Sequence, residues 1–74
     1  MVKQTFTALI HREDNGYVAL CPELDTASQG DTIEESRRNL IEAVELFFES
    51  AEPSEVLERL STEIYITPLE VAVG

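Results

Sequence analysis

The chain's single cysteine, Cys21, and its single histidine, His11, are the residues that could act together as a nucleophile and its base. They lie at equal distances in sequence on either side of Gly16, so a hairpin centred there would place them roughly opposite each other. No third residue orients the histidine, and cysteine is commonly buried. A structural role is therefore expected for both. They also supply only two of the four ligands of a structural zinc site.

A second group with possible chemistry consists of four carboxylates that are close in sequence: Asp25, Asp31, Glu34 and Glu35. Four such acids could hold Mg²⁺ for phosphoryl chemistry. Their spacing matches no metal motif, however, and Thr32 to Glu35 form a T-x-x-E capping box, which is typical of the start of a helix. Capping is the favoured interpretation, and a metal-dependent nuclease is the alternative. No metal or cofactor is expected.

The charge of the chain restricts its partners. Fifteen acidic and five basic residues give a formal net charge of −10. Phosphate backbones are bound mainly by lysine and arginine, so the chain alone is not expected to bind DNA or RNA. The negative electrostatic potential of the chain would instead attract a basic protein.

The 74 residues predict one domain, residues 1–74, without repeats. No apolar run approaches the ~20 residues that span a bilayer, no secretory signal is visible, and one cysteine cannot form an internal disulfide. A soluble cytoplasmic protein without membrane contact is expected. Chains this short often need a partner subunit for stability, which favours a homodimer or a higher oligomer.

Alternating apolar residues predict a first strand over Val2–Ile10. The pair Asn15-Gly16 is typical of a tight hairpin turn, after which Tyr17–Cys21 reads as the returning strand. Pro22 ends that strand because it cannot donate to a ladder. Thr26–Gln29 is predicted as a short third strand.

The capping box starts the main helix, whose apolar stripe is expected to pack Leu40, Val44 and Phe47 on the sheet, while Leu46 is expected to be exposed. Pro53 is expected to stop it, with Ser54 capping a second helix. Further strand patterns follow at Glu63–Thr67 and Leu69–Val73, the latter suited to an edge or to pairing with another chain. The fold class is α+β, ββ(β)αβ: a small antiparallel sheet of three to four strands with one main helix on one face.

Several segments together resemble the HicB family of type II antitoxins: Gly16–Ala19, Pro22–Leu24, Ser28–Glu35, Asn39-Leu40 and Glu42-Ala43. The resemblance covers residues 3–51, and Gln29–Glu35 is its most specific part. It implies a partial ribonuclease-H-like fold without catalytic carboxylates. It also implies that the chain neutralises a small basic mRNA-cleaving toxin, HicA, by covering its active site.

Two departures from the family pattern affect these expectations. Members commonly have Pro-Gly-Cys where Asp25, Thr26 and Ala27 stand here, so this loop is expected to differ. Many members also continue into a DNA-binding domain, and none is expected here because the chain ends at Gly74. An orphan domain with another protein partner is therefore a further alternative.

The sequence thus predicts a non-catalytic, acidic protein-binding module, with an antitoxin as its most specific form. Its partner would be a basic HicA-like toxin encoded nearby. The carboxylates would steer that partner while Leu24 supplies an apolar anchor. The candidate partner-binding residues are Glu23, Leu24, Asp25, Asp31 and Glu34.

Overall fold

The computed structural model describes residues 4–74, which form three strands followed by two helices. The strands are β1 (Leu9–Glu13), β2 (Gly16–Cys21) and β3 (Thr26–Gly30), and the helices are α1 (Ile33–Ser50) and α2 (Pro53–Leu60). The sheet is antiparallel in the order β1-β2-β3, and α1 packs on it. This confirms an α+β fold with one main helix. None of the helices in the described range is both long and apolar enough to cross a membrane.

The first hairpin differs from its prediction. Residues 4–8 form no strand, residues 1–3 of the predicted strand lie outside the described range, and β1 instead continues to Glu13. The two turn residues are Asp14, at φ 53°, and Asn15. Gly16 belongs to β2, where an added Cβ would lie only 2.8 Å from the Gly30 carbonyl oxygen. The glycine is therefore required by close packing of two strands rather than by the turn.

The third strand and the start of α1 are confirmed. The Thr32 hydroxyl accepts a hydrogen bond from the Glu35 N–H at 3.0 Å. The carboxylate of Glu35 accepts from the N–H of Asp31 at 3.1 Å, one residue earlier than the predicted reciprocal bond to Thr32. An added Cβ at Gly30 would lie 2.6 Å from the Ser36 nitrogen, so only glycine allows α1 to approach β3 this closely.

The core lies between the sheet and α1. The predicted helix stripe is confirmed at Leu40, which is buried, and at Val44 and Phe47, which pack against the core. Leu46 is exposed, as predicted. The fully buried residue Ser36 was not predicted; its hydroxyl donates to the Ile33 carbonyl at 2.9 Å, which removes the cost of burying it. The buried apolar residues are Ala19, Cys21, Leu24 and Leu40.

The second helix is confirmed, but it begins at Pro53 with Glu52 as its cap, and Ser54 is not the cap. Proline suits the first turn of a helix because its missing N–H has no intrahelical partner there. The guanidinium of Arg59 ties α2 to the core, since it donates to the Leu24 carbonyl and lies 5.0 Å from the centre of the Phe47 ring.

The predicted strands at Glu63–Thr67 and Leu69–Val73 are not formed: residues 62–74 carry neither helix nor strand. Alternating apolar residues produce a strand only where an edge pairs with them, and no strand within residues 4–74 pairs with these segments. The element order is therefore βββαα rather than ββ(β)αβ.

Candidate functional site

Leu24, the expected apolar anchor, is completely buried in the core. It lies in the turn between β2 and β3, where its N–H donates to the Cys21 carbonyl at 3.3 Å. This corrects its expected place on a surface. The turn folds back on itself, so the leucine side chain packs under α1 while the neighbouring polar residues remain outside.

Glu23 is half-buried and fixed by hydrogen bonds. Its carboxylate accepts from the Thr7 N–H at 3.1 and 3.0 Å and from the Thr7 hydroxyl at 2.6 Å. Partial burial opposes ionisation, but these bonds and one from Cys21 favour the charged form, so the pKa of Glu23 lies below its ordinary value. Glu23 therefore has a structural task, and it is less available to a partner than an exposed acid.

His11 and Cys21 do not lie opposite each other, as a hairpin centred on Gly16 would have placed them. His11 lies opposite Val18, whereas Cys21 pairs with Thr26. The hairpin turns at Asp14 and Asn15 rather than around Gly16, which shifts the register. Burial of the Cys21 thiol and the nearby Glu23 charge raise its pKa despite a hydrogen bond from the Leu24 backbone, so the thiol remains protonated near neutral pH. A structural role for the cysteine fits this environment.

The four acids of the alternative metal site are separated by β3. Asp25 precedes this strand and Asp31 follows it, and a strand that rises ~3.3 Å per residue separates them by about 20 Å. Asp25 is exposed and adopts a positive φ of 50°. The four-carboxylate site is therefore not assembled. Within residues 4–74, no three histidine, cysteine or acidic side chains converge in a way that could hold a metal ion.

Asp31 and Glu34 lie together at the start of α1, and we call this pair the N-terminal surface. Both are exposed. They line a shallow, open depression whose other side carries Arg12 and Tyr17, with the Arg12 guanidinium 5.6 Å from the centre of the Tyr17 ring. Such an open, charged surface suits a macromolecular partner better than an enclosed small molecule. The depression is lined by Arg12, Asn15, Tyr17, Asp31, Thr32, Ile33 and Glu34.

A second acidic surface, absent from the predicted site, runs along the outside of α1. Glu42, Glu45 and Glu49 are exposed there, and we call them the helix surface. Their spacing of three and four residues, which places side chains on one helical face, is the signal that could have identified them. Among the described residues, Arg59 forms an ion pair with Glu55 at 3.6 Å, and the His11 ring lies 4.0 Å from the Glu13 carboxylate. Neither pair includes an acid of the N-terminal surface or of the helix surface.

Comparison with known proteins reveals several relatives of similar length. A UPF0150 protein of Synechocystis is 42% identical over 72 residues, which cover 92% of this chain and 87% of that protein. A UPF0150 protein of Helicobacter pylori is 38% identical over 66 residues, with 88% and 92% covered. No protein-family model and no solved structure matches the chain. The similarity extends over nearly the whole of both relatives, and the chain belongs to the UPF0150 family.

Proposed function

We propose that the chain is a non-catalytic protein-binding module that acts as a type II antitoxin against a small basic mRNA-cleaving toxin of the HicA type. The observation that carries this proposal is the exposure of unpaired carboxylates on the N-terminal surface and the helix surface. Complementary charge accelerates association and fixes the orientation of the partners. A basic nuclease that must bind RNA phosphates offers the matching charge.

The resemblance to HicB supports the scaffold in this proposal. The most specific segment, Gln29–Glu35, builds the junction of β3 and α1 through Gly30, through the Thr32 cap and through the Gln29 carbonyl, which accepts from the Asn39 amide at 2.8 Å. Each of these residues is needed to build the junction, and it would be needed in any protein with this junction, whatever its function. The antitoxin role therefore depends on the acidic surfaces as well as on the motif.

The alternative of a metal-dependent nuclease receives less support from the geometry. It requires Asp25 to act with Asp31 and Glu34, and β3 holds Asp25 at the other end of the sheet. Glu35 is engaged with the Asp31 N–H. Capping of α1 accounts for the acids that would otherwise form the metal site.

Association kinetics with a purified HicA-type toxin test this proposal. The double variant Asp31→Asn with Glu34→Gln removes two charges from the N-terminal surface. As a matched control, Glu52→Gln with Glu58→Gln removes one charge from the cap of α2 and one from α2 itself. We expect the first variant to associate several-fold more slowly at low salt and to show a weaker salt dependence than the control. Circular dichroism checks that α1 is retained.

Each outcome of the kinetics is informative. Equal association rates for the two double variants would remove the N-terminal surface from the interface. A wild-type chain that forms no complex with the toxin would contradict the antitoxin role itself.

A further inference from the structure

Arg59 of α2 occupies a small site that two distant parts of the chain form together. Its guanidinium donates a hydrogen bond to the Leu24 carbonyl and lies 5.0 Å from the centre of the Phe47 ring. A carbonyl oxygen and the face of an aromatic ring both attract a guanidinium, the first by hydrogen bonding and the second by cation–π interaction. We call the Leu24 carbonyl and the Phe47 ring the guanidinium site.

The core holds the guanidinium site in place without help from α2. Leu24 is completely buried, and its carbonyl also accepts from the Thr26 hydroxyl at 3.1 Å, which fixes the direction of the oxygen. The Phe47 ring packs against the core and meets the Phe48 ring at 5.4 Å. None of these contacts comes from α2, so the site should keep its shape when α2 moves away.

The second helix, in contrast, depends on the site. It has eight residues, fewer than the ~12–15 that an isolated helix needs in water. Val56 and Arg59 are its partly buried residues, whereas Leu57 and Leu60 are 69% and 43% exposed. The backbone of α2 makes almost no contact with α1 or with the strands. Arg59 is therefore a principal attachment of α2, and this helix belongs to the part of the molecule that opens most easily.

We propose that the guanidinium site binds an arginine side chain of a basic partner, and that Arg59 occupies it in the free chain as a competing internal ligand. The partner's arginine displaces Arg59 and releases α2. The basic partner rests on the proposed function, whereas the preference for arginine rests on the site itself.

Charge and shape favour arginine as the ligand. Glu55, which pairs with Arg59 at 3.6 Å, leaves the site together with α2. Asp25 follows Leu24 in the turn and is exposed, so a negative charge stays beside the open site. A planar guanidinium can donate to the carbonyl and stack on the ring at the same time, whereas the ammonium of lysine is a compact, strongly hydrated charge.

NMR titration of the full chain with Nα-acetylarginine amide tests the site, with the Phe47 ring and the amides of α2 as reporters. Arg59→Met removes the internal ligand. Arg37→Met removes an exposed arginine of α1 and gives the same net charge, so it is the matched control. We expect Arg59→Met to bind the probe several-fold more tightly than wild type or Arg37→Met, because no internal arginine competes. In wild type, the probe should shift the amides of α2.

Two further controls separate a binding site from a merely structural contact. Nα-acetyllysine amide has the same charge and should bind weakly and equally to all three chains. Phe47→Leu, combined with Arg59→Met, should lose the preference for arginine; circular dichroism checks α1, and Phe47→Met replaces Phe47→Leu if the latter unfolds. Equal affinity of Arg59→Met and wild type for the arginine probe, or equal binding of the two probes, would overturn the proposal.

A purified HicA-type toxin tests whether the partner uses this site. The Arg59→Met chain should dissociate from the toxin several-fold more slowly than the Arg37→Met chain, and equal dissociation rates would show that the toxin does not use the site. Selective binding of the arginine probe without a toxin complex would support the site and contradict the antitoxin role. A toxin complex without selective probe binding would support the antitoxin role and overturn the site.

Discussion

The Glu23 carboxylate holds Thr7 through both its backbone N–H and its hydroxyl, at distances of 2.6 to 3.1 Å. The neighbouring Pro22 has no N–H, and β2 ends just before it, at Cys21. Beyond the end of β2, the Glu23 side chain therefore does what strand pairing would do. It fixes the segment that leads into β1. Charged acceptors make stronger hydrogen bonds than neutral ones, so this contact depends on the ionised form of Glu23.

We expect Glu23→Gln to lower the free energy of unfolding by about 1 kcal/mol at pH 7. The pKa of Glu23 is lower in the folded chain than its ordinary value of 4.5. The stabilisation is therefore fully present above that value and is lost as the pH falls through the lower, folded-state pKa. Urea unfolding at pH 7 and at low pH should show the difference between wild type and variant disappearing in acid.

Asp25→Asn is the matched control, because it neutralises an exposed acid two residues away, and asparagine tolerates the positive φ at this position. Its free energy of unfolding at pH 7 should differ from that of wild type by less than about 0.5 kcal/mol. A pH-independent deficit in Glu23→Gln would show that ionisation of Glu23 does not contribute.

Leu24→Ala should destabilise the chain by about 2–5 kcal/mol, the usual cost of truncating a buried leucine. Leu46→Ala, at an exposed position of α1, should change stability by less than about 0.5 kcal/mol. Chemical denaturation compares the two. Similar small effects would place Leu24 outside the core and restore it as a surface anchor.

Gly30→Ala should cost about 1–3 kcal/mol, since the added methyl group would overlap the backbone at Ser36 and push α1 away from β3. The exposed neighbour Gln29→Ala keeps the backbone carbonyl that accepts from Asn39, and it should be nearly neutral. Thermal unfolding of the pair measures the difference. An unchanged midpoint for Gly30→Ala would contradict the close approach of helix and strand.

The parts of the fold that local sequence determines were predictable. The capping box at Thr32 fixes the start of α1, and the helical spacing of Leu40, Val44 and Phe47 identifies its packed face. These signals arise within a few residues, so they can be recognised without knowledge of the tertiary contacts. The short strand β3 was found for a similar reason, because Gly30 marks its end.

The remaining features depend on contacts distant in sequence. Asn15-Gly16 is a strong turn signal, but Gly16 lies in β2, where the Gly30 carbonyl comes too close to allow a side chain. The turn is therefore at Asp14 and Asn15, and the pairing of β1 with β2 differs by one residue from the predicted turn position. Leu24, expected as a surface anchor, lies instead in the core, in one cluster with Leu40 of α1. The acids near β3 are neighbours in sequence, but the strand that separates them carries them to opposite ends of the sheet.

The proposed antitoxin role requires the chain to silence a toxin by binding it. RNA cleavage by a HicA-type toxin should therefore be measured while the chain is added in increasing amounts, with the chain alone in Mg²⁺ or Mn²⁺ as the reference. We expect cleavage to fall in proportion to the added chain and to stop at a fixed stoichiometric ratio, while the chain alone cleaves nothing. Full toxin activity in the presence of excess chain, or metal-dependent cleavage by the chain alone, would contradict the antitoxin role.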